Sequence, residues 1–531
     1  MPGASLTRLN EMSLTGDKAN RDALMSNGPS APAFGFRRLV LLLCAVALGA
    51  YHIFATSVMF PVPGGDAVVF VPPAINLKAG RGLDNYLWTG RHRFVEHPPL
   101  FQMVVSAGMW KSDTRTAFIV LAIFNALTLA LYAAILGTAK FAQKLIASAA
   151  GFAVLVSSLF GIAFLIFTAS GRPETLSTLV LLLAMAAVTW LPRRCWPICL
   201  GIAIGVAAAI HPTHGVLMAC LVVIAFLLTA PVGQAISKMM LAAAIALPLF
   251  WILLSLGPYP VEEVLRTLSW HAALAAGPDY RLSTLALYYL KLAPWSGVYL
   301  LGLALVLVWS GIHFWRGAEN RMTRWARLAG LLLTAFVFWY FSIRRPNASY
   351  YLIMLAPALA AGALYLFGVR TGTGDRRLAA LPLLMVAAFF SIFSLCLARD
   401  IALFVDYRTD AISFAEARRD FDSLARSTDQ VISVSESLWV LADKFDRISI
   451  VERGTASGDL MVLQQTQRGS LSPPVIPGYR LLSQRFISHP PKWFGWPIAR
   501  TTPGYSFAVF AREGALGENR PRASGAQNDD S

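Results

Sequence analysis

Residues 116–138 read TAFIVLAIFNALTLALYAAILGT and contain no charged side chain. A helix needs about 20 apolar residues to cross the hydrocarbon core of a bilayer, so this stretch is long enough to span a membrane. Ten more charge-free apolar segments share this pattern: 39–58, 145–168, 175–191, 196–210, 214–229, 239–256, 294–312, 328–343, 350–369 and 378–398. The sequence therefore predicts an all-α polytopic membrane bundle of about eleven helices. The short segments 196–210 and 214–229 either cross the membrane separately or form one hairpin within the bundle. The predicted number of spans is therefore between nine and twelve.

The composition agrees with a membrane protein. Of 531 residues, 56% are hydrophobic and 14% are charged, whereas soluble domains carry roughly 25% charged residues. The net charge is +16, but the chain after residue 399 holds 15 basic and 16 acidic residues, so the excess lies beside the predicted spans. Basic residues in that position are expected to face anionic lipid headgroups, not nucleic acid. The five cysteines have neither disulfide nor zinc-site spacing and are expected to pack in the core.

The loops predict an orientation. Residues 1–36 form a polar tail that we expect to be disordered and cytoplasmic, because placing it there puts most basic loop clusters inside. Residues 37–399 are then the membrane domain, with loops 59–115 and 257–293 on the outer side. Residues 400–513 follow on that side as a small α/β domain, and 514–531 form a disordered tail. This arrangement predicts a multi-pass membrane protein with a cytoplasmic N-terminus and a C-terminal domain on the outer side.

The position of the charges separates two classes of function. Ion-coupled transporters usually hold ionisable groups near the middle of the membrane, and the predicted spans hold no charged residue. The outer loops instead mix acidic and basic side chains above the spans. An enzyme that acts on a lipid-linked substrate needs its reactive groups there, beside the headgroup.

Loop 59–115 carries the most specific motifs. Asp66 follows Gly64-Gly65 just after the first span, an interfacial helix is expected over 67–80, and Glu96-His97-Pro98-Pro99 follows. Three later stretches complete the pattern: Ser170-Gly171-Arg172-Pro173-Glu174, Arg344-Arg345-Pro346-Asn347-Ala348-Ser349-Tyr350-Tyr351-Leu352, and Ala356-Pro357. Their order resembles the GT-C-fold glycosyltransferases that use polyprenyl-phosphate sugars, among them bacterial aminoarabinose transferases and the protein O-mannosyltransferase superfamily.

The resemblance covers roughly residues 37–400 and implies a chemistry. A sugar would pass from a polyprenyl-phosphate donor to an envelope lipid, glycan or protein in one inverting step, with the lipid phosphate leaving. Two positions depart from the pattern. Asp66 is followed by Ala67, where many relatives carry a second acid, and His97 replaces a lysine. The sequence predicts no metal site and no certain cofactor; a divalent metal is compatible with the resemblance but not indicated.

Two acids are the predicted catalytic residues. Transfer to a hydroxyl requires a base or acceptor for its proton, and Asp66 suits this role, the alternative being a helix-capping aspartate. Glu96 either orients the acceptor or holds a cation, or else is a solvated loop charge.

The remaining candidates are expected to bind substrate. His97 is held in extended geometry by the following proline and is predicted to contact phosphate or sugar. Arg344 or Arg345 is predicted to bind the donor phosphate through its guanidinium fork, or otherwise to anchor the chain at the headgroups. The other members of the predicted substrate site are Arg172 and Glu174, expected to form a mutual pair, and Tyr350 and Tyr351, which are otherwise interfacial belt residues.

Other motifs have weaker implications. His211 and His214 flank Pro212 and are expected to be a polar site wall rather than a metal pair, which would need more ligands. Loop 257–293 is either a re-entrant segment over the sugar or an amphipathic helix on the bilayer. In the C-terminal region, 431–434, 460–463 and 506–510 predict strands, with helices over 411–426 and 436–445.

The resemblance thus implies a membrane glycosyltransferase of a bacterial inner membrane, with its C-terminal domain in the periplasm, whose partners are a polyprenyl-phosphate sugar, an envelope acceptor and membrane lipids. A lipid or glycan transporter and a glycan polymerase remain the alternatives. Neither the sugar, the acceptor, the role of the C-terminal domain nor the oligomeric state follows from the sequence.

Overall fold

A computed structural model describes residues 31–58, 67–83, 97–168, 171–257 and 259–274 as continuous stretches. Beyond these it describes Asn85, scattered positions between 328 and 419, and short pieces of the C-terminal region. Those pieces are 432–434, 439, 448–450, 460–465, 475–485, 492–493, 496–497 and 506–514.

Between residues 31 and 274 the described chain is almost entirely helical. The helices are α1 (Ala31–Val58), α2 (Ala67–Lys78), α3 (Leu100–Gly108), α4 (Thr114–Thr138), α5 (Lys140–Ala147), α6 (Ala149–Thr168), α7 (Glu174–Trp190), α8 (Trp196–Ile210), α9 (Pro212–Thr229), α10 (Val232–Ser255) and α11 (Val261–Leu274). Among the described helices, four contain segments long and apolar enough to cross a membrane: Gly35–Val58, Thr114–Thr138, Ala149–Phe167 and Val232–Ser255.

The helical part of the prediction is confirmed, and the four long apolar helices are compatible with a membrane protein. Each predicted segment from 39–58 to 239–256 lies largely on a helix, although α7, α8 and α9 offer only shorter apolar stretches. Of the predicted spans from 294–312 onward, the first lies outside the described residues and the other three are described only at scattered positions. The total of eleven spans therefore stays a prediction.

The predicted segment 145–168 is divided in the structure. Its first residues belong to α5, and the chain becomes extended at Ser148 before α6 begins. The Ser148 hydroxyl accepts a hydrogen bond from the Gly151 amide at 3.0 Å, so a serine caps the new helix. An apolar run cannot reveal this break, because the break depends on one local hydrogen bond.

Glycines allow α8, α9 and α10 to pack closely. A Cβ built on Gly215 of α9 would lie 2.5 Å from the Cβ of Ala208, so α9 turns back tightly against α8 after residue 211. Cβ atoms built on Gly201 and Gly205 would lie 2.6 Å and 2.8 Å from backbone carbonyls of α10. Small residues four apart are typical of close helix pairs in membranes. The contact between α8 and α9 fits both alternatives for this region, two separate crossings or one hairpin.

The contacts of Arg37 distinguish the two ends of the bundle. Arg37, near the start of α1, donates hydrogen bonds to the carbonyls of Ile146 (2.7 Å) and Ala147 (2.6 Å), the last residues of α5. The N-termini of α1 and α6 and the C-terminus of α4 therefore lie at one end. The C-termini of α1 and α6 and the N-termini of α4 and α7 lie at the other, which we call the Glu174 end.

A polar pair lies inside the bundle, within spans that the sequence predicts to be uncharged. The Asn125 amide nitrogen of α4 is 3.1 Å from the Nε2 atom of His52 in α1. The same amide donates to the carbonyl of Ile166 at 3.4 Å. The His52 ring stacks on Phe167 with 3.8 Å between ring centroids. Because Ile166 lies in the last turn of α6, this contact satisfies a carbonyl that has no partner within its own helix.

The described C-terminal pieces contain a sheet. Its strands are β1 (Ile432–Val434), β2 (Ile448–Ile450), β3 (Leu460–Gln465), β4 (Tyr479–Arg485) and β7 (Ser506–Arg512), in the order β2-β1-β3-β7-β4. β1 is parallel to β2 and β3, whereas β7 is antiparallel to β3 and β4. The strands β5 (Lys492–Trp493) and β6 (Trp496–Pro497) pair separately. β1, β3 and β7 lie at the three predicted strands, while the helices expected over 411–426 and 436–445 fall outside the described residues except for single positions.

Candidate functional site

An ion pair is buried at the Glu174 end. Gly171 has a positive φ of 86°, which favours glycine, and a Cβ built there would lie 2.6 Å from the Cβ of Ala67. The turn continues through Pro173 into α7, whose first residue is Glu174. Arg172 donates from Nε and from one terminal nitrogen to the two carboxylate oxygens of Glu174, each at 3.2 Å. The predicted pair is therefore confirmed, with a two-pronged geometry that planar guanidinium and carboxylate groups favour.

The environment keeps Glu174 ionised. Its side chain is 1% exposed and that of Arg172 is 12% exposed. Burial would raise the pKa of the Glu174 carboxyl, but the charge of Arg172 and the imidazole of His214 outweigh burial and lower this pKa from 4.5 to about 2. A carboxylate this acidic, with both oxygens engaged by arginine, is a weak proton acceptor at neutral pH.

His214 connects the ion pair to α9. Its Nε2 atom lies 3.8 Å from a carboxylate oxygen of Glu174, and its Nδ1 atom lies 2.7 Å from the hydroxyl of Ser177. Glu174 and Ser177 are three residues apart and therefore share one face of α7. All three side chains are buried, so the imidazole is held on both sides by α7.

His211 ends α8 and begins α9. It has φ −159° and ψ 126°, the extended geometry that a following proline imposes. Its Nδ1 atom accepts a hydrogen bond from the backbone amide of Thr213 at 3.2 Å. His211 is thus the N-cap of α9, a position at which an acceptor satisfies one of the open amides of the helix.

Four rings contact one another in succession and lead to the ion pair: Phe70 and His97 are stacked, whereas the following two pairs are tilted. The ring centroids are 4.9 Å apart for Phe70 and His97, 4.5 Å for His97 and His211, and 4.7 Å for His211 and His214. His97 is half-buried, whereas His211 is 3% and His214 is 0% exposed. Of the three histidines, His97 is therefore the one that solvent or a ligand can reach. We call this row of rings the histidine stack.

The structure brings together His97, Arg172 and Glu174 among the predicted site residues. The other predicted residues lie outside the described part of the chain: Asp66, Glu96, Arg344, Arg345, Tyr350 and Tyr351. For two of these residues, the next residue in the chain is described and lies at the site. Ala67, which follows Asp66, packs against Gly171, and His97, which follows Glu96, belongs to the histidine stack.

The two predicted outer loops also meet at this end. A Cβ built on Gly257, after α10, would lie 2.5 Å from the Cγ of Pro99. Loop 257–293 therefore begins against the Glu96-His97-Pro98-Pro99 motif. Its next residues form α11, and the remainder from 275 onward is outside the described residues.

The site contains residues that sequence reasoning missed. Phe70 was expected only as part of a helix over 67–80, and that helix is confirmed as α2, although the protein buries most of it. Ser177 carried no motif, and only its spacing from Glu174 could have indicated a shared face. His211 and His214 were expected to form a polar wall, which agrees with their burial. In the described part of the chain, no group of three or more histidine, cysteine or acidic side chains is arranged to hold a metal ion.

The arrangement joins fixed charges and hydrogen-bonding rings at the end of an apolar bundle. Such a site can orient a polar group at the end of the bundle. No protein-family model matches this chain, and no curated protein matches it significantly. Function must therefore be inferred from the residues and their geometry.

Proposed function

We propose that the protein is a membrane glycosyltransferase that moves a sugar from a polyprenyl-phosphate donor to an envelope acceptor on the outer face of a bacterial inner membrane. One observation carries the proposal: His97, Arg172 and Glu174, which lie in separate sequence motifs, converge at one end of an apolar helical bundle. That end is where an enzyme would meet the headgroup of a lipid-linked sugar.

The acceptor hydroxyl needs a proton acceptor in this reaction. Glu174 is unsuitable, because its carboxylate is paired with Arg172 and its pKa is lowered to about 2. We assign the role to Asp66, whose neighbour Ala67 packs beside the turn that carries Arg172. In the proposed step, the bond between the sugar and the phosphate breaks as the bond to the acceptor oxygen forms. The proton passes to Asp66, and the lipid phosphate leaves with the bonding electrons.

The departing phosphate needs positive charge. Arg172 is already neutralised by Glu174, so Arg344 or Arg345 is proposed to contact the phosphate. Glu96 is proposed to orient the acceptor, and Tyr350 and Tyr351 to contact the donor. Arg172 and Glu174 then form a rigid ion pair without net charge that supports the site structurally.

The test is mass spectrometry of envelope lipids and glycans from cells that contain or lack the protein. A sugar transferase predicts a species that is heavier by one sugar residue and appears only when the protein is present. A transporter predicts the same species in both samples with a changed distribution across the membrane. A polymerase predicts a ladder of added oligosaccharide units. Either of the last two results would overturn the proposal.

A further inference from the structure

His97 contacts two other rings, which do not lie on opposite faces of it, since the ring centroids of Phe70 and His211 are only 6.5 Å apart. Phe70 lies 4.9 Å from one face with an angle of 23° between the ring planes, and His211 lies 4.5 Å from His97 with an angle of 33°. Both nitrogens of an imidazole lie at the ring edge, so the orientation of the ring sets the directions in which it can form hydrogen bonds. The angle of the His97 ring therefore decides where its nitrogens point.

His211 is itself fixed in position. The proline after it imposes extended geometry, and its Nδ1 atom accepts the Thr213 amide at 3.2 Å. An accepting Nδ1 carries no proton, so the ring proton of neutral His211 is on Nε2. On the far side, the His211 ring contacts His214, which is held by Ser177 and Glu174. The inner part of the stack is thus anchored by contacts from α7 and α9.

We propose that His211 is a positioning residue: its ring holds His97 at the angle from which the His97 edge donates or accepts a hydrogen bond at an oxygen of the lipid-linked sugar donor. The inference rests on the proposed sugar transfer and gives a buried histidine a role in it. His97 is suited to contact the donor because it is half-buried, whereas His211 is 3% exposed.

Two substitutions separate the ring of His211 from its capping nitrogen. His211→Phe keeps a flat ring beside His97 but removes the acceptor for the Thr213 amide. His211→Asn keeps an acceptor, since asparagine is a favoured N-cap residue, but removes the ring. Thr189→Val is the control variant, because Thr189 is exposed near the C-terminus of α7, away from the site. Its activity shows how much is lost through mutation and purification alone.

The positioning role predicts that His211→Asn lowers kcat/KM for the donor, by about 100-fold if His97 is displaced by about 1 Å. His211→Phe should recover most of that activity. A purely capping role predicts the reverse order, with His211→Phe the weaker enzyme. Direct contact of His211 with substrate predicts that both variants lose activity alike. Either of these two results would overturn the inference.

A second measurement does not depend on activity. The imidazole protons of His97 can be identified by NMR of histidine-labelled protein as the signals lost in His97→Ala. The ring at position 211, 4.5 Å from that of His97, shifts such signals, so His211→Phe should keep the shift and His211→Asn should reduce it. An unchanged His97 signal in His211→Asn would show that His211 does not orient His97. If the parent protein transfers no sugar, the proposed function has failed, and the NMR result alone decides whether His211 orients His97.

Discussion

At the residue scale, the pairing of Arg172 with Glu174 is the most consequential contact described. Both side chains are largely buried, and each supplies the counter-charge that the other needs away from water. Pairs of this kind fix geometry more reliably than they add stability, because desolvation offsets much of the attraction. Removing one partner is different, since it leaves an uncompensated charge inside the protein.

We therefore expect Glu174→Gln to destabilise the protein by about 3–5 kcal/mol, the range for breaking a buried pair. Glu262→Gln, on the exposed face of α11, should change stability by less than about 0.5 kcal/mol. Unfolding of the two variants in the same detergent measures the difference. Equal stability of both variants would mean that Arg172 finds another counter-charge.

The same pair predicts a dependence on pH. The pKa of Glu174 is about 2 in the folded protein and 4.5 ordinarily. A lowered carboxyl pKa stabilises the fold above the ordinary pKa, and this stabilisation is lost as pH falls from 4.5 towards 2. The difference in unfolding temperature between the parent and Glu174→Gln should stay constant above pH 4.5 and shrink below it. A difference that shrinks between pH 8 and 6 would point to another group.

Arg344 and Arg345 supply a second prediction about charge. Replacing each with lysine keeps the positive charge but removes the planar fork that matches phosphate oxygens. If one of them binds the donor phosphate, the corresponding lysine variant should transfer sugar more slowly while remaining folded. Parental rates in both variants, measured with purified protein, would leave the arginines as headgroup anchors only.

At the element scale, helix α8 connects bundle packing to the site. Its glycines let α10 approach closely, and its last residue precedes His211. A Cβ built on Gly205 would lie 2.8 Å from the carbonyl oxygen of Ala246. Close approach of α10 therefore fixes the position of α8, which is followed directly by His211 of the histidine stack.

Gly205→Ala should consequently destabilise the protein by about 1–3 kcal/mol, the usual cost of overpacking a well-packed contact. Ile202 is 44% exposed on the same helix, so Ile202→Ala serves as a control that should matter less. Thermal unfolding in detergent compares the two. A Gly205→Ala protein as stable as the parent would show that α8 and α10 can separate without cost.

The success of sequence reasoning also differs between elements. Apolar runs predicted the helices well, because the length and hydrophobicity of a span are local properties. The break at Ser148 was missed, since it depends on a single capping bond to Gly151. The histidine stack was missed as a unit, because it joins residues from α2, the motif before α3, and the turn between α8 and α9. Only the spacing of His211 and His214 hinted at it.

At the scale of the whole molecule, one contact links the C-terminal region to the Glu174 end. The ring of Trp439 lies 6.2 Å from that of Phe118, near the start of α4, and Trp439 is fully buried. Phe118 also lies beside Gly171. This contact supports the expectation that the C-terminal region and the site face the same side of the membrane.

A reporter that works only outside the cytoplasm should accordingly be active when fused after residue 400. A reporter that works only in the cytosol should be silent at the same position. The reverse pattern would mean an even number of crossings before the C-terminal region, and the proposed orientation of the site would be wrong.

Sugar transfer by purified protein tests the central proposal most directly. Parent, Asp66→Asn and Asp113→Asn proteins would each receive a polyprenyl-phosphate sugar and an envelope extract as acceptor. Asp113 is a matched control, because it caps α4 by accepting the Thr116 amide at 2.7 Å, a role that asparagine can fill.

We predict that the parent and Asp113→Asn proteins form a glycosidic product and release polyprenyl phosphate. Asp66→Asn should do so about 10² to 10⁴-fold more slowly, as expected when a general base is lost. Turnover by Asp66→Asn at the parental rate would contradict the role of Asp66. If the parent protein forms no glycosidic product with any polyprenyl-phosphate sugar supplied, the proposed function itself is contradicted.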